Sequence, residues 1–346
     1  MNFSNVLFVG LGGAGQRHLR ILNKLMPKKT KFSAFRRVAS TPLLRPDFTV
    51  DADNTIESVY NLHLFDELTA AFKSKPDLTV ISTPTSYHRE VMMMAIESAS
   101  GILVEKPWAE NLRGFSDFES QVLSKKLPFH ISFQRRFHPQ IKKVKQALIS
   151  GVIGMPVAAT FSVYSNVPSW HDYEDWRGLY AVRSDLGGGV LLTEIHEIDL
   201  ANWFFGLPGA VFCTGGNRGP HKLEVEDAVQ LLLLYTNYSV QITLYFMHRK
   251  PSRSFHIVGT EGEIYWSEGN NRLDISSFSA QSEINSIQLV SNEEMFEEQA
   301  KYFLNSWTIG DTKESLSNAF GSLAIVDAAK RSMKSGKPEP CEYMNS

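Results

Sequence analysis

Residues 5–25 read NVLFVGLGGAGQRHLRILNKL. Asn5 to Val9 form a short apolar run with the look of a buried strand, and apolar positions recur at helical spacing from about Ala14 to Leu25. Between them, Gly10-Leu11-Gly12-Gly13-Ala14-Gly15 fits the pattern G-x-G-x-x-G. Each glycine answers a physical need: Gly10 the tight turn, Gly12 the approach of backbone amides to a pyrophosphate, Gly15 close helix–sheet packing. The helix start adds its positive dipole end. Strand, turn and helix in this order predict that Gly10, Gly12, Gly13, Ala14 and Gly15 hold a dinucleotide.

Outward from this turn, Lys31–Phe35, Leu78–Ile81, Ile102–Val104 and Phe129–Phe133 read as further strands. Helix-length amphipathic segments lie among them, through Met92 and Ala95 and over Phe115–Leu123, the signature of a parallel sheet with crossover helices. From about Gly151 the texture changes. Val157–Tyr164, Val229–Tyr235, Val240–Tyr245, Ser254–Val258 and Glu263–Trp266 read as strands with little helix between them, which predicts an open, mostly antiparallel sheet. One helix, Leu191–Phe205, interrupts them. Two more, Glu293–Trp307 and Leu316–Met333, end the chain, and the tail after Ser335 reads as mobile. The expectation is an α/β protein of two domains: a doubly wound Rossmann domain over 1–132, and an α/β domain over 133–346 for substrate binding and oligomerisation. The final helices are free to pack back on the first domain.

Composition narrows the function. With 346 residues, 43% of them hydrophobic and 21% charged, the chain has material for two cores. Thirty-five Lys and Arg against 37 Asp and Glu, a net charge of −2, offer no global attraction to nucleic acid or an anionic membrane. Cys213 and Cys341 are too few for a disulfide framework, and no histidine pair has metal-ligand spacing, so no metal is expected. The first residues lack a basic and then apolar leader, and the longest apolar runs, such as Val229–Tyr235, are too short to span a membrane. A cytoplasmic protein is the expectation.

An NAD site calls for an acidic residue about 20 positions after the glycine turn to accept the ribose hydroxyls. Here the end of the second strand reads Ala34-Phe35-Arg36-Arg37. Arginine cannot accept a hydrogen bond, but its planar fork pairs with a 2′-phosphate, so Arg36 and Arg37 predict NADP in preference to NAD.

Five further blocks follow the glycine turn: TPTSYH at 83–88, VEKP at 104–107, FQRRFHP at 133–139, GGGVLLTEIHEIDL at 187–200 and GTEG at 259–262. In order and spacing, over nearly the whole chain, they resemble the Gfo/Idh/MocA oxidoreductases. The resemblance implies a Rossmann domain, a second domain with an open sheet, and reversible hydride transfer between a nicotinamide cofactor and a sugar-like carbinol or carbonyl. Such chemistry needs a positioned acid/base beside the hydride acceptor. Lys106 follows a strand at the edge where open α/β sheets bind ligands, and its ammonium suits the polarisation of a substrate oxygen. His196 matches the family histidine and is the candidate acid/base. Thr193 and Asp199 flank it as substrate contacts, Asp199 by sharing its helix face at i+3. Many relatives carry Asp four residues before the histidine, where this chain has Leu192. That departure leaves proton transfer to Lys106 and His196.

By the same resemblance Thr83, Pro84, His88, Glu105 and Gln134 line the cofactor site, while Ser86 caps a helix. The stretch 169–183 mixes aromatics with His and Arg and resembles a subset of the family associated with surface-polysaccharide and nonulosonic-acid sugars. Trp170, His171, Arg177, Tyr180 and Arg183 are its candidate contacts to an anionic substrate, a nucleotide sugar or a sugar acid. A catalytically silent NAD(P)-binding regulatory protein and an NAD-dependent glycosidase are the alternatives. A homo-oligomer through the second sheet is expected.

Overall fold

Short apolar strands that point side chains to both faces of a sheet can be buried only if helices cover both faces, and the first part of the chain builds that arrangement. The computed structural model describes residues 3–37, 41–278 and 283–341. It comprises two compact units: Met1–Gln134 with His171–Asp175 and Asn292–Ala319, and Arg135–Trp170 with Trp176–Ser291 and Phe320–Ser346.

In the first unit, β1 (Asn5–Val9), α1 (Gly13–Leu25) and β2 (Lys31–Phe35) are followed by a hairpin of β3 (Leu43–Leu44) and β4 (Val50–Asp51). Then come α2 (Ile56–Tyr60), β5 (His63–Phe65), α3 (Leu68–Lys73), β6 (Leu78–Ile81), α4 (His88–Glu97), β7 (Gly101–Val104), α5 (Phe115–Ser124) and β8 (Phe129–Ile131). Six strands form one parallel sheet in the order β5-β2-β1-β6-β7-β8. Chain direction across the sheet reverses between β1 and β6, so the Gly10 turn and the loop after Ile81 share the crevice where such sheets take ligands. The hairpin, α2, α3 and β5 were not foreseen; their strands are two or three residues long, too short to show a period.

Later helices complete this unit. Leu19, Ile21 and Leu22 of α1 share a core with Phe296, Ala300 and Phe303 of α9 (Asn292–Asn305). Arg20 pairs with Glu293 of α9 at 2.8 Å. The start of α10 (Ile309–Ser335) covers the β8 edge: Phe129 and Ile131 donate backbone N–H bonds to Thr312 Oγ1 and Ser315 Oγ. Hydroxyls thereby pair edge amides that would otherwise be open to another strand.

In the second unit, α6 (Pro139–Ile149), β9 (Pro156–Asn166), α7 (Val190–Thr193) and α8 (His196–Phe205) precede β10 (Ala210–Gly216), β11 (Ala228–Leu234) and β12 (Ser239–Tyr245). They are followed by β13 (Met247–Gly259), β14 (Gly262–Ser267), β15 (Arg272–Ser277), β16 (Glu283–Ile287) and β17 (Glu339–Pro340). The nine strands form one sheet, β16-β15-β14-β13-β9-β12-β11-β10-β17, antiparallel except for β9 with β12. Its apolar face buries Phe161, Ile242, Phe255 and Trp266, with Phe204 of α8 against Phe255.

Two expectations are corrected here. The helix read as Leu191–Phe205 is broken into α7 and α8, with Glu194 leaving helical geometry. Glu194 Oε1 accepts from Ser165 Oγ of β9 at 2.6 Å and Oε2 accepts from Arg253 of β13 at 2.8 Å, two bonds that hold the chain to the sheet at the break. The tail is not mobile throughout: Glu339 pairs with Val211, extending the sheet, and only 342–346 lie outside the described residues. No helix among the described residues is long and apolar enough to cross a membrane.

Candidate functional site

The glycine turn leaves β1 with Gly10 at φ +99°, a left-handed conformation that a side chain disfavours. A Cβ there would also lie 2.7 Å from the Ser82 carbonyl oxygen at the end of β6. Gly12 has nothing within 4 Å of where its Cβ would stand, and α1 starts at Gly13 with no side chain capping it. The first amides of α1 therefore have neither a cap nor helical partners, which is the arrangement that takes a phosphate.

The loops beside it converge on the same edge. Gly10 N donates to Phe35 O, Ser82 N to Val9 O and Glu105 N to Ile81 O, tying the ends of β1, β2, β6 and β7 together. In the Thr83 loop, Thr83 Oγ1 and Ser86 Oγ are buried hydroxyls without a protein partner, so Ser86 does not cap the next helix as expected. Pro84 starts the short turn that follows. His88 is fully buried, with Nδ1 2.8 Å from Pro107 O and Nε2 2.8 Å from Thr83 O. Burial lowers its pKa, and the neutral ring donates to one carbonyl at a time. Both nitrogens face the protein's own backbone, so His88 ties the Thr83 and Pro107 loops together.

Glu105 is buried but remains ionised. Burial raises its pKa, but the bond from His18 Nε2 at 2.8 Å and the charges of His18, Lys106 and Arg17 outweigh that and hold it below its ordinary value. Lys106 follows, half-buried, with its backbone N–H on Glu105 Oε2 at 3.3 Å. Gln134 is buried at the end of this unit. Arg36 donates to Glu57 Oε1 at 2.7 Å and to Thr41 Oγ1, while the Arg37 guanidinium lies 3.9 Å above the Tyr87 ring.

In the second unit His196 is the first residue of α8, buried, with buried Thr193 ending α7. Glu194 and Ile195 separate Leu192, in α7, from His196 at the start of α8. Asp199 does not point into an open site: both its oxygens accept from Arg136, at 2.7 and 2.8 Å, and Ser322 Oγ adds a bond at 3.2 Å. A second buried cluster follows, in which Arg253 contacts Glu194 at 2.8 Å and Glu197 at 3.1 Å. Burial pushes the Glu197 carboxyl well above its ordinary range.

The candidate substrate stretch is divided. His171 belongs to the first unit, where its ring lies 5.6 Å from Phe48 and 5.0 Å from Tyr173. Trp170, Tyr180, Arg177 and Arg183 belong to the second. There a cavity of about 640 Å³ is lined by Trp176, Arg177, Arg183, His221, Lys222 and Glu224, among others. Arg177 stacks on Trp176 at 4.6 Å, and Arg183 pairs with Asp185 at 2.6 Å. Trp170 and Tyr180 do not line this cavity.

Residues 4–131 match the model of the oxidoreductase family with an NAD-binding Rossmann fold, and residues 141–265 match the GFO/IDH/MocA C-terminal domain. The chain belongs to the Gfo/Idh/MocA family. Among curated relatives, an uncharacterized oxidoreductase, YrbE of Bacillus subtilis, is 25% identical over 203 residues, 57% of this chain and 52% of the relative. Inositol 2-dehydrogenase of Rubrobacter xylanophilus is 24% identical over 277 residues, 78% of this chain and 76% of the relative. The chain thus spans about half the length of the first of these. A levoglucosan dehydrogenase solved with NADH and levoglucosan superposes with a TM-score of 0.79 at 17% identity, covering 98% of this chain and 99% of that one, a likeness of fold.

Sequence reasoning missed His18 and Phe48 of the first unit and Arg253 of the second. His18 shares the inward face of α1 with Gly15 and Leu22, and that spacing was its only signal. Arg253 lies in a strand with no pattern pointing to Glu194, and Phe48 lies in a hairpin that left no period.

Proposed function

We propose that this chain is a nicotinamide-dependent oxidoreductase that transfers a hydride between NADP(H), or NAD(H), and a sugar-type carbinol or carbonyl. One observation carries the reading: at the switch point of the six-stranded sheet, an uncapped helix start opens beside Gly12 onto free space, and the loop that meets it holds two buried hydroxyls with no protein partner. Buried polar groups are as a rule bonded to protein, water or ligand, and a dinucleotide is a ligand that can supply those bonds. The residues present therefore fit a dinucleotide. Gly12, Gly13 and Ala14 would hold its pyrophosphate, and Thr83 and Ser86 its polar groups.

When bound, the nicotinamide supplies the hydride donor or acceptor. The chain's own residues do the rest. Lys106, next to an ionised Glu105, holds its ammonium toward the reacting oxygen and polarises it. His196 exchanges the proton at that oxygen. Glu105 keeps its charge through His18, which steadies the strand end carrying Lys106. Arg36 and Arg37 favour NADP through the 2′-phosphate. Arg36 is already braced by Glu57, and Arg37 stands exposed at the strand end.

The substrate carries an anionic group, as a nucleotide sugar or a sugar acid does. The cavity beside Arg177, Arg183 and Lys222 supports this, since a guanidinium fork pairs with carboxylate or phosphate. Homo-oligomerisation uses the outer face of the nine-stranded sheet, where Thr160, Gln230 and Gln241 are exposed; sedimentation velocity tests it.

Steady-state kinetics on a sugar panel, with Lys106→Ala and His196→Ala, test the assignment. Each variant should lose turnover by roughly a hundredfold or more while nucleotide affinity is kept, as for removal of an acid/base. Wild-type turnover in either variant refutes its role. Unchanged affinity for every anionic sugar in both Arg177→Ala and Arg183→Ala refutes the anion contact.

A further inference from the structure

We infer that Phe48, backed by His171 and Tyr173, forms an aromatic clasp beside the glycine turn that slows release of the bound dinucleotide. The inference rests on the reading of that turn as a nucleotide site. Gln16, in the first turn of α1, fastens the β3–β4 hairpin to the turn. Its Nε2 donates to Leu11 O at 3.0 Å and Pro42 O at 2.9 Å, and its Oε1 accepts from Leu44 N at 2.8 Å. At the hairpin tip, Asp47 accepts from both Thr49 N and Thr49 Oγ1 and shapes the bend. Phe48 follows Asp47 with φ +65°, a left-handed conformation that an aromatic residue seldom adopts and that persists only where its surroundings enforce it.

That conformation lays the ring on Gly13. Phe48 Cε1 is 2.6 Å from where a Gly13 Cβ would stand, and the Tyr173 hydroxyl is 3.5 Å from the same point. Arg17 lies 4.8 Å from the centre of the Phe48 ring on one side, and the His171 ring is 5.6 Å away. His171 is held in turn by Glu174 at 2.6 Å and stacks on Tyr173. Residues from three separate stretches thus wall one flank of the α1 start, while Gly12 is left open on the other. Phe48 and His171 are only half-buried, so completing a core does not account for their positions. Rings placed on one side of an anion-binding turn obstruct the exit of what it binds, and such contacts are felt mainly in the dissociation rate.

Stopped-flow displacement of NADPH, followed by its fluorescence, tests this on the full chain. Phe48→Ala should release NADPH about tenfold faster, and Phe48→Leu and His171→Ala several-fold faster, with association rates within about twofold of the wild type. Phe48→Leu keeps an apolar side chain on α1, so it and His171→Ala decide the matter should Phe48→Ala fail to fold. Unchanged release in folded variants overturns the clasp and leaves the nucleotide site standing. Faster association with tighter binding overturns it too, because the ring would then block the turn. A wild-type protein that binds neither NADPH nor NADH overturns the nucleotide site itself, and the clasp with it.

Discussion

Replacing Arg253 with methionine would take away the guanidinium that contacts two glutamates inside the second unit, leaving them the charge of Arg135 alone among those that act on Glu197. The guanidinium contacts Glu194 at 2.8 Å and Glu197 at 3.1 Å, and the three side chains are 8%, 6% and 2% exposed. Methionine keeps most of the apolar stem, so little of the loss comes from a cavity. Removing one member of a buried pair costs about 3–5 kcal/mol, because the partner's charge stays desolvated. That is a large share of the roughly 5–15 kcal/mol that holds a typical protein folded. The loss should also depend on pH. Burial already holds the Glu197 carboxyl well above its ordinary range. An acid whose folded pKa exceeds its unfolded one favours the folded state when protonated, and that advantage fades as pH rises through the folded pKa. Without the guanidinium the folded-state pKa rises further, so Arg253→Met should lose most at pH 8 and least near pH 5.5. Urea unfolding at the two values, followed by near-UV circular dichroism, measures both effects. A loss under about 1 kcal/mol at pH 8, or one of equal size at both values, would refute the reasoning.

Asp199→Ala should lower stability by about 3–5 kcal/mol, since the buried Arg136 guanidinium loses the carboxylate that neutralises it; a raised substrate KM with unchanged thermal stability would instead make Asp199 a substrate contact. Gly10→Ala forces a side chain into a left-handed residue 2.7 Å from Ser82 O, and should cost about 1–3 kcal/mol and weaken nucleotide binding, both read by scanning fluorimetry with and without NADPH. Glu105 is held below its ordinary pKa, so its contribution is present above the unfolded carboxylate value and is lost as pH falls through the folded one. Glu105→Gln should therefore flatten the acid limb of the stability profile, and an acid-unfolding midpoint unmoved by the substitution would show that Glu105 carries none of it.

Legibility followed period and length. Asn5–Val9, Lys31–Phe35 and Leu78–Ile81 were placed to the residue, because a short apolar run between polar or turn-forming residues is a strong local signal. The break before His196 was not, because both halves carry the same apolar spacing, and bonds from Ser165 and Arg253, far along the chain, hold the chain at the point where it parts. Asp199 shows the same limit from the other direction. Its place at i+3 from His196 was read correctly as a shared face, but its two oxygens go to Arg136.

Reading residues in order was enough for the glycine turn, five of the six strands of the parallel core and the family blocks, because each rests on neighbours a few positions apart obeying one steric or helical rule. Pairing long-range charges was beyond it. Which carboxylate meets Arg253, Arg136 or His18, and which ring lies on Gly13, depends on segments tens to hundreds of residues apart arriving at the same few ångströms. No spacing in the chain encodes that, since such partners are chosen by burial and shape once the sheets have formed.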